Sequence, residues 1–324
     1  LASLENSRPP RASHPARPSP APMRIALCQI NSTVGDLAGN VALILADAQR
    51  AADAGADLAV FPELCVTGYP PQDLLDRPAF LDATDAAVQA LAAQLPAGLA
   101  AIVGAPVRNE TPVGKRLFNQ ALVLADGAVQ DAVSKTLLPT YDVFDEVRYF
   151  EPAPERRVVT VGGLRLGLHV CEDMWNNGGG DRSGTGADGR THLYAANPID
   201  ELATLGIDLF VNISASPYAA GKPEERRDLI AESCREHGVP FVYVNQVGAN
   251  TELVFDGDSR VTSATGETLW HGALFAPDFV VWDTEATGSP VAPDLPDTTA
   301  QIHDALVLGV RDYVRRTGEG VFEK

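Results

Sequence analysis

Apolar positions along this chain follow two periods, and the two alternate. MRIALCQI (23–30), DLAVFPE (57–63) and AAIVGAP (100–106) are short apolar runs of strand length, whereas over about 40–54 and 80–94 the apolar residues recur at helical spacing. FNQALVLADG (118–127) and AVQDAVSKTLL (128–138) meet at an Asp-Gly pair, which predicts a hairpin and therefore a mixed sheet. Alternation of this kind predicts an α/β layered architecture.

The run VVTVGGLRLGLHVC (158–171) predicts a buried strand ending in a bend at Cys171. It leads into NNGGGDRSGTGADGR (176–190), a polar, glycine-rich stretch expected to be a mobile insertion. Gly184, Gly186 and Gly189 there match GxGxxG, but no strand leads in and no helix pattern follows at once, so no dinucleotide site is expected. The pattern resumes with a helix over about 198–206, a strand DLFVNISAS (208–216), an amphipathic helix from about Pro223 to His237 and a strand PFVYVNQVGA (240–249). A β-rich piece (252–270), a Pro-, Asp- and Thr-rich linker (283–298) and a helix over about 299–316, ending at Gly318, complete the reading.

Composition narrows what such a chain can do. With 324 residues, 45% of them hydrophobic, it can bury a substantial core, and its apolar runs are too short and too charge-interrupted to span a bilayer. The formal net charge of -18 disfavours nucleic acid and anionic lipid as partners. Residues 1–22 hold three arginines, six prolines and one acid without an apolar block, which predicts a disordered arm or an expression remnant, with the fold starting at Met23. Cys28, Cys65, Cys171 and Cys234 form no CxxC pair, and no Cys/His cluster has zinc spacing, so the expectation is no disulfide framework, no metal and a cytoplasmic home. Lysine occurs only at Lys115, Lys135, Lys222 and Lys324, against 21 arginines, which favours the remaining lysines for work that needs a compact ammonium.

Three apolar runs end in a reactive or charged residue: Glu63 in FPELC, Lys135 in SKTLLP and Cys171 in HVCEDMW. Splitting a carboxamide needs a nucleophile, a base and donors at the developing oxyanion. Cys171 suits the first role and Glu63 the second; Lys135 suits the third, with the backbone N–H of Glu172 beside it, and a nearby ammonium is expected to lower the thiol pKa. Each has a structural alternative: a buried small hydrophobe for Cys171, a cap for Glu63, an edge charge for Lys135. Cys28 within a strand and Cys234 within a helix read as packing residues, as does Cys65. His169 shares a strand face with Cys171, but side chains two apart on one strand do not converge head-on. No GxSxG elbow occurs.

On FPELCVTGYPPQDLL (61–75), KTLLPTYDVFDEVRYFEP (135–152), HVCEDMW (169–175) and NISASPYAAGKPEERR (212–227), the chain resembles the nitrilase superfamily of carbon-nitrogen hydrolases, and within it the glutaminase domain of glutamine-dependent NAD synthetases. The resemblance implies an α-β-β-α sandwich over residues 23–282. It also implies Glu63 as general base, Lys135 at the oxyanion and Cys171 as the nucleophile that forms a thioester. Tyr141, Ser216 and Lys222 would hold L-glutamine, and Glu146 would support the set. Residues 283–324 would be a linker and the start of a helix leading to a synthetase domain that this chain lacks. ATP and nicotinic acid adenine dinucleotide would bind there, leaving no cofactor in this chain, and at least a dimer is expected. Two rival readings are a stand-alone amidase or nitrilase acting on another small amide, and a non-catalytic partner module of a synthetase.

Overall fold

The structure, a computed structural model, describes residues 22–176, 194–286, 289–291 and 295–317. Apart from Pro22 and Asn176, the N-terminal arm and the glycine-rich stretch at 176–190 lie outside the described residues.

The chain opens with β1 (Arg24–Gln29), α1 (Leu37–Asp53), β2 (Leu58–Val60), α2 (Pro78–Gln94) and β3 (Ala100–Arg108), and continues through β4 (Leu117–Ala125), β5 (Ala128–Ser134) and a single helical turn, α3 (Glu146–Tyr149). Next come β6 (Val159–Val161), β7 (Leu164–Val170), α4 (Pro198–Thr204), β8 (Leu209–Ser214), α5 (Lys222–His237) and β9 (Phe241–Asn245). β10 (Val247–Asn250), β11 (Leu253–Asp256), β12 (Arg260–Thr262), β13 (Thr268–His271), β14 (Asp278–Asp283) and α6 (Thr298–Thr317) end it.

Among the described residues the strands form two six-stranded sheets, ordered β14-β1-β2-β3-β4-β5 and β13-β12-β9-β8-β7-β6, with β10–β11 as a separate ribbon. Both sheets are mixed: β1, β2 and β3 run parallel, as do β7, β8 and β9, and antiparallel strands flank each trio. Side chains alternate across a strand, so Ile25 and Leu27 point one way and Ala26 and Cys28 the other. The first pair meets Leu168, Val170, Val211 and Val244 of the second sheet in one core, while the second pair packs with Ile44 and Ala48 of α1. On the far face of the second sheet, Phe210 and Tyr243 pack with Leu202 of α4 and Ile230 of α5. The result is an α-β-β-α sandwich of four layers.

Three local readings change. The run 158–171 is a hairpin, broken at Gly162 and Gly163, whose φ values of 55° and 87° suit the two central positions of a tight hairpin turn and cost glycine little. The strand expected at 240–249 splits at Gln246: β9 stays in the second sheet while β10 leaves it to pair with β11. β14, unmarked in the sequence reading, closes the first sheet by pairing antiparallel with β1.

α6 lies on β10 and β11 and buries Gln301, Ala305, Leu308 and Asp312. Asp312 Oδ2 accepts from Asn31 Nδ2 (2.8 Å) and the backbone N–H of Ala249 (3.0 Å). Ile302, Leu306, Val310 and Tyr313 face outward and are exposed. Among the described residues no helix is long and apolar enough to cross a membrane.

Candidate active site

Open α/β sheets gather their sites at the carboxyl ends of parallel strands. Glu63 follows β2, Cys171 follows β7, Ala215 and Ser216 follow β8, and Lys135 follows β5. At Glu63 the chain turns sharply, with Leu64 at φ 46°, and Gly104 of β3 makes room for that turn: a Cβ there would stand 2.1 Å from Leu64 N.

Glu63, Lys135 and Glu146 form a buried cluster. Lys135 Nζ donates to Glu63 Oε1 (2.8 Å) and to Glu146 Oε1 (2.7 Å). Glu63 also accepts from Asn119 Nδ2 of β4 (2.7 Å) and from the backbone N–H of Ala215 (2.9 Å), so both sheets hold it. Glu146, at the start of α3, accepts a further bond from Tyr69 Oη (2.9 Å). Burial pushes Glu146 up to about 7 against the pull of Lys135, with Glu63 adding to the rise. Burial pulls Lys135 down, but Glu146 and Glu63 outweigh it and hold the ammonium charged, well above its ordinary value.

Cys171 sits at an elbow, with φ 45° in the left-handed region that non-glycine residues avoid. Asp173 fixes the elbow to the Lys135 segment: its Oδ2 accepts from Val170 N (3.0 Å) and its Oδ1 from Thr136 N (2.9 Å) and Leu137 N (2.7 Å). Asn212 Nδ2 donates to the Cys171 carbonyl (3.3 Å). The expected lowering of the thiol pKa does not occur. Burial, then Glu63, raises it, and Lys135 offsets only part of the rise, so the resting group is a thiol that needs a base.

A cavity of about 230 Å³ opens on this thiol. Its lining includes Tyr141, Cys171, Glu172, Trp175, Ser216 and Lys222. Tyr141 Oη and Tyr194 Oη both donate to Glu172 Oε1, at 2.8 and 3.1 Å. Lys222 Nζ lies 5.5 Å from the centre of the Trp175 ring, and burial and then Arg226 lower its pKa. The lining thus carries two carboxylates, Asp142 and Glu172, and an ammonium, Lys222.

Glu63, Lys135, Glu146, Cys171, Glu172, Tyr141, Ser216 and Lys222, the residues to which the sequence assigned a role in the reaction, are therefore each in the buried cluster or on the cavity. Asn119, Tyr69, Asp173, Tyr194 and the Ala215 N–H were not foreseen. His169 turns away from this chemistry: its Nδ1 contacts the Gly167 carbonyl (2.8 Å), it packs edge-on against Phe210 and Phe241, and burial lowers its pKa to about 4. Cys28, Cys65 and Cys234 are packing residues, and burial raises all three thiols. Among the described residues, Asp200, Glu236 and His237 bring potential metal-ligand atoms within 4.8 Å of one another, but none lines the cavity and His237 Nε2 already pairs with Asp200 Oδ1 at 3.0 Å.

Residues 24–179 match the family model for carbon-nitrogen hydrolase. The chain carries a carbon-nitrogen hydrolase domain. Relatives of this hydrolase include the glutamine-dependent NAD(+) synthetase of Synechocystis sp., 38% identical over 302 residues that cover 91% of this chain and 53% of that protein. The enzyme of the same name from Thermotoga maritima is 33% identical, covering 93% of this chain and 54% of its own. The chain thus spans about half the length of the curated relatives it matches. Among solved structures, glutamine-dependent NAD+ synthetase from Acinetobacter baumannii superposes with a TM-score of 0.80 at 32% identity, covering 92% of this chain and 53% of that one. A nitrilase-superfamily amidase from Nesterenkonia AN1 superposes with a TM-score of 0.64 at 26% identity over 87% of this chain and 95% of its own.

Proposed function

We propose that this carbon-nitrogen hydrolase domain hydrolyses L-glutamine to L-glutamate and ammonia through a thioester on Cys171. The observation that carries the reading is the charge pattern of the cavity: its lining brings the carboxylate of Glu172 and the ammonium of Lys222, with Ser216, into one space with the Cys171 thiol. That pattern suits the ammonium and carboxylate of an α-amino acid whose side-chain amide reaches Cys171. The relatives' name, glutamine-dependent NAD(+) synthetase, supports the same substrate.

In this reading Glu63 takes the thiol proton as sulfur adds to the amide carbon, and returns it to the leaving nitrogen, which departs as ammonia. Glu63 then deprotonates a water that splits the thioester, releasing glutamate and the thiol. Lys135 donates two of its three N–H bonds to Glu63 and Glu146; the third, with the backbone N–H of Glu172, serves the oxyanion. Glu146 holds the ammonium in place, and Tyr141 aligns Glu172.

In the whole protein the ammonia would amidate nicotinic acid adenine dinucleotide in an ATP-using synthetase domain. We place the enzyme in the cytoplasm, where four free buried thiols stay reduced, and expect at least a dimer, which light scattering checks.

Incubation with a glutamine analogue carrying a diazo-ketone, followed by intact mass and peptide mapping, tests substrate and nucleophile together. The expected result is one adduct on Cys171, blocked by excess L-glutamine. No adduct there, or equal labelling of Cys65 and Cys234, would overturn the reading. Likeness to the Nesterenkonia amidase over nearly its whole length favours a second reading, a stand-alone amidase. A panel of amides separates the two, since preference for one without α-amino and α-carboxyl groups selects the second.

A further inference from the structure

Bonded to the backbone of Ser216, and sharing α5 with Lys222, is a buried polar network that no step of the reaction uses. Arg226, one helical turn along α5 from Lys222, donates from Nη2 to Asp256 Oδ2 (2.8 Å) and from Nη1 to the Gly257 carbonyl (3.2 Å), with Asp258 Oδ2 3.6 Å from Nη1. Asp258 in turn takes both of its short bonds from Arg260 Nη2, at 2.7 and 2.8 Å. Asn245, the last residue of β9, links this group to the cavity. Its Oδ1 accepts from Ser216 N (2.9 Å), and its Nδ2 donates to the Gly257 carbonyl (2.9 Å), Asp256 Oδ1 (3.2 Å) and the Ser216 carbonyl (3.4 Å).

Arg226, Arg260, Asp256, Asp258 and Asn245 all have 0% exposure. Two buried cations against two buried anions give a neutral group, yet each ion loses several kcal/mol of hydration that pairing only repays. Apolar side chains of similar volume would often be as stable, so stability is a weak reason for such a network. Directional bonds give something an apolar patch does not, namely a fixed geometry. Here they grip the Ser216 backbone at both its N–H and its carbonyl, and they anchor α5 one turn from Lys222.

We propose that Asn245, Asp256 and Arg226 are positioning residues: together they set the distance between Ser216 and Lys222, and so place the substrate's anionic group relative to the Cys171 thiol. The proposal rests on the amino-acid reading of the cavity. It predicts that the network governs affinity for the anion and leaves the Glu63, Lys135 and Cys171 chemistry intact.

Two mild variants test it, Asn245→Ala and Arg226→Lys, the second keeping the charge but losing the planar fork. Each is compared with the parent chain by thermal melting, by L-glutamine kinetics, and by the rates at which iodoacetate and iodoacetamide alkylate Cys171. Loss of hydrogen bonds to charged groups corresponds to roughly a 10- to 100-fold effect. We therefore expect KM for glutamine to rise by about that factor with kcat within about threefold, and the iodoacetate-to-iodoacetamide ratio to fall about tenfold as Lys222 shifts. Arg226→Lys should fall between Asn245→Ala and the parent.

Unchanged KM and unchanged alkylation ratio in folded variants would overturn the proposal. So would an equal loss of both alkylation rates, which marks general damage to the site. If the parent chain fails to hydrolyse glutamine, the substrate reading falls instead, and the alkylation ratio still decides whether Asn245 and Arg226 position Lys222.

Discussion

At the scale of single residues, the chemistry depends on charges that are buried but never left alone. Lys135 faces two carboxylates at 2.7 and 2.8 Å with no solvent exposure of its own, so Lys135→Ala strands Glu63 and Glu146 together. We expect that variant to lose about 3–5 kcal/mol of stability by denaturant titration and roughly a hundred- to a thousandfold in kcat. Cys171→Ala should keep stability close to that of the parent and leave only background turnover, which separates fold from chemistry. His169 gives a pH prediction. The folded state keeps it neutral down to about 4, whereas the unfolded chain protonates it at the ordinary 6.5. Its contribution is therefore complete above 6.5 and lost as pH falls from 6.5 towards 4, by about 3 kcal/mol in all. Asp173, raised by burial to about 6, acts in the opposite direction between 3.8 and 6, so the comparison must be between parent and His169→Phe. Relative to that variant, the parent's melting temperature should drop as pH is lowered through this window, and parallel curves would refute the assignment.

At the scale of elements, α6 shows how one helix divides its two faces. Leu308 is 1% exposed against the β10–β11 ribbon, while Leu306 two residues away is 66% exposed. Leu308→Ala should cost about 2–4 kcal/mol and Leu306→Ala less than about 0.5 kcal/mol, read from urea midpoints. The hairpin β6–β7 makes a similar point. β7 of this hairpin ends directly before Cys171, and the turn that joins its two strands uses left-handed φ at Gly162 and Gly163. The Gly-Gly pair was visible in the sequence as a hairpin signal, but the continuous alternation of apolar residues on either side of it reads as a single strand.

At the scale of the whole molecule, a net charge of -18 opposes compaction through self-repulsion. Screening shortens from about 30 Å in 0.01 M salt to about 8 Å in 0.15 M, so the melting temperature should rise over that range. A flat response would place the acids in local pairs instead. How much of the molecule was legible follows from which properties are local. Period-2 and period-3.6 patterning determined the α/β layering, and residues ending apolar runs marked Glu63, Lys135 and Cys171, because local spacing alone decides which face a side chain takes. The partners of these residues were not legible. Asn119 reaches Glu63 across 56 positions and the Ala215 N–H across 152, and both depend on which strand lies beside which. The direction of the Cys171 pKa shift was missed for the same reason: the sequence showed a lysine that would lower it, and only the packed structure brought burial and Glu63 to bear against that lysine. Sequence by itself determined most of the elements and their reactive ends; tertiary structure decided where β6 and β7 part, where β10 leaves β9, that β14 joins β1, and what the reactive ends face, because sheet order and burial are set by contacts between segments that no local pattern encodes.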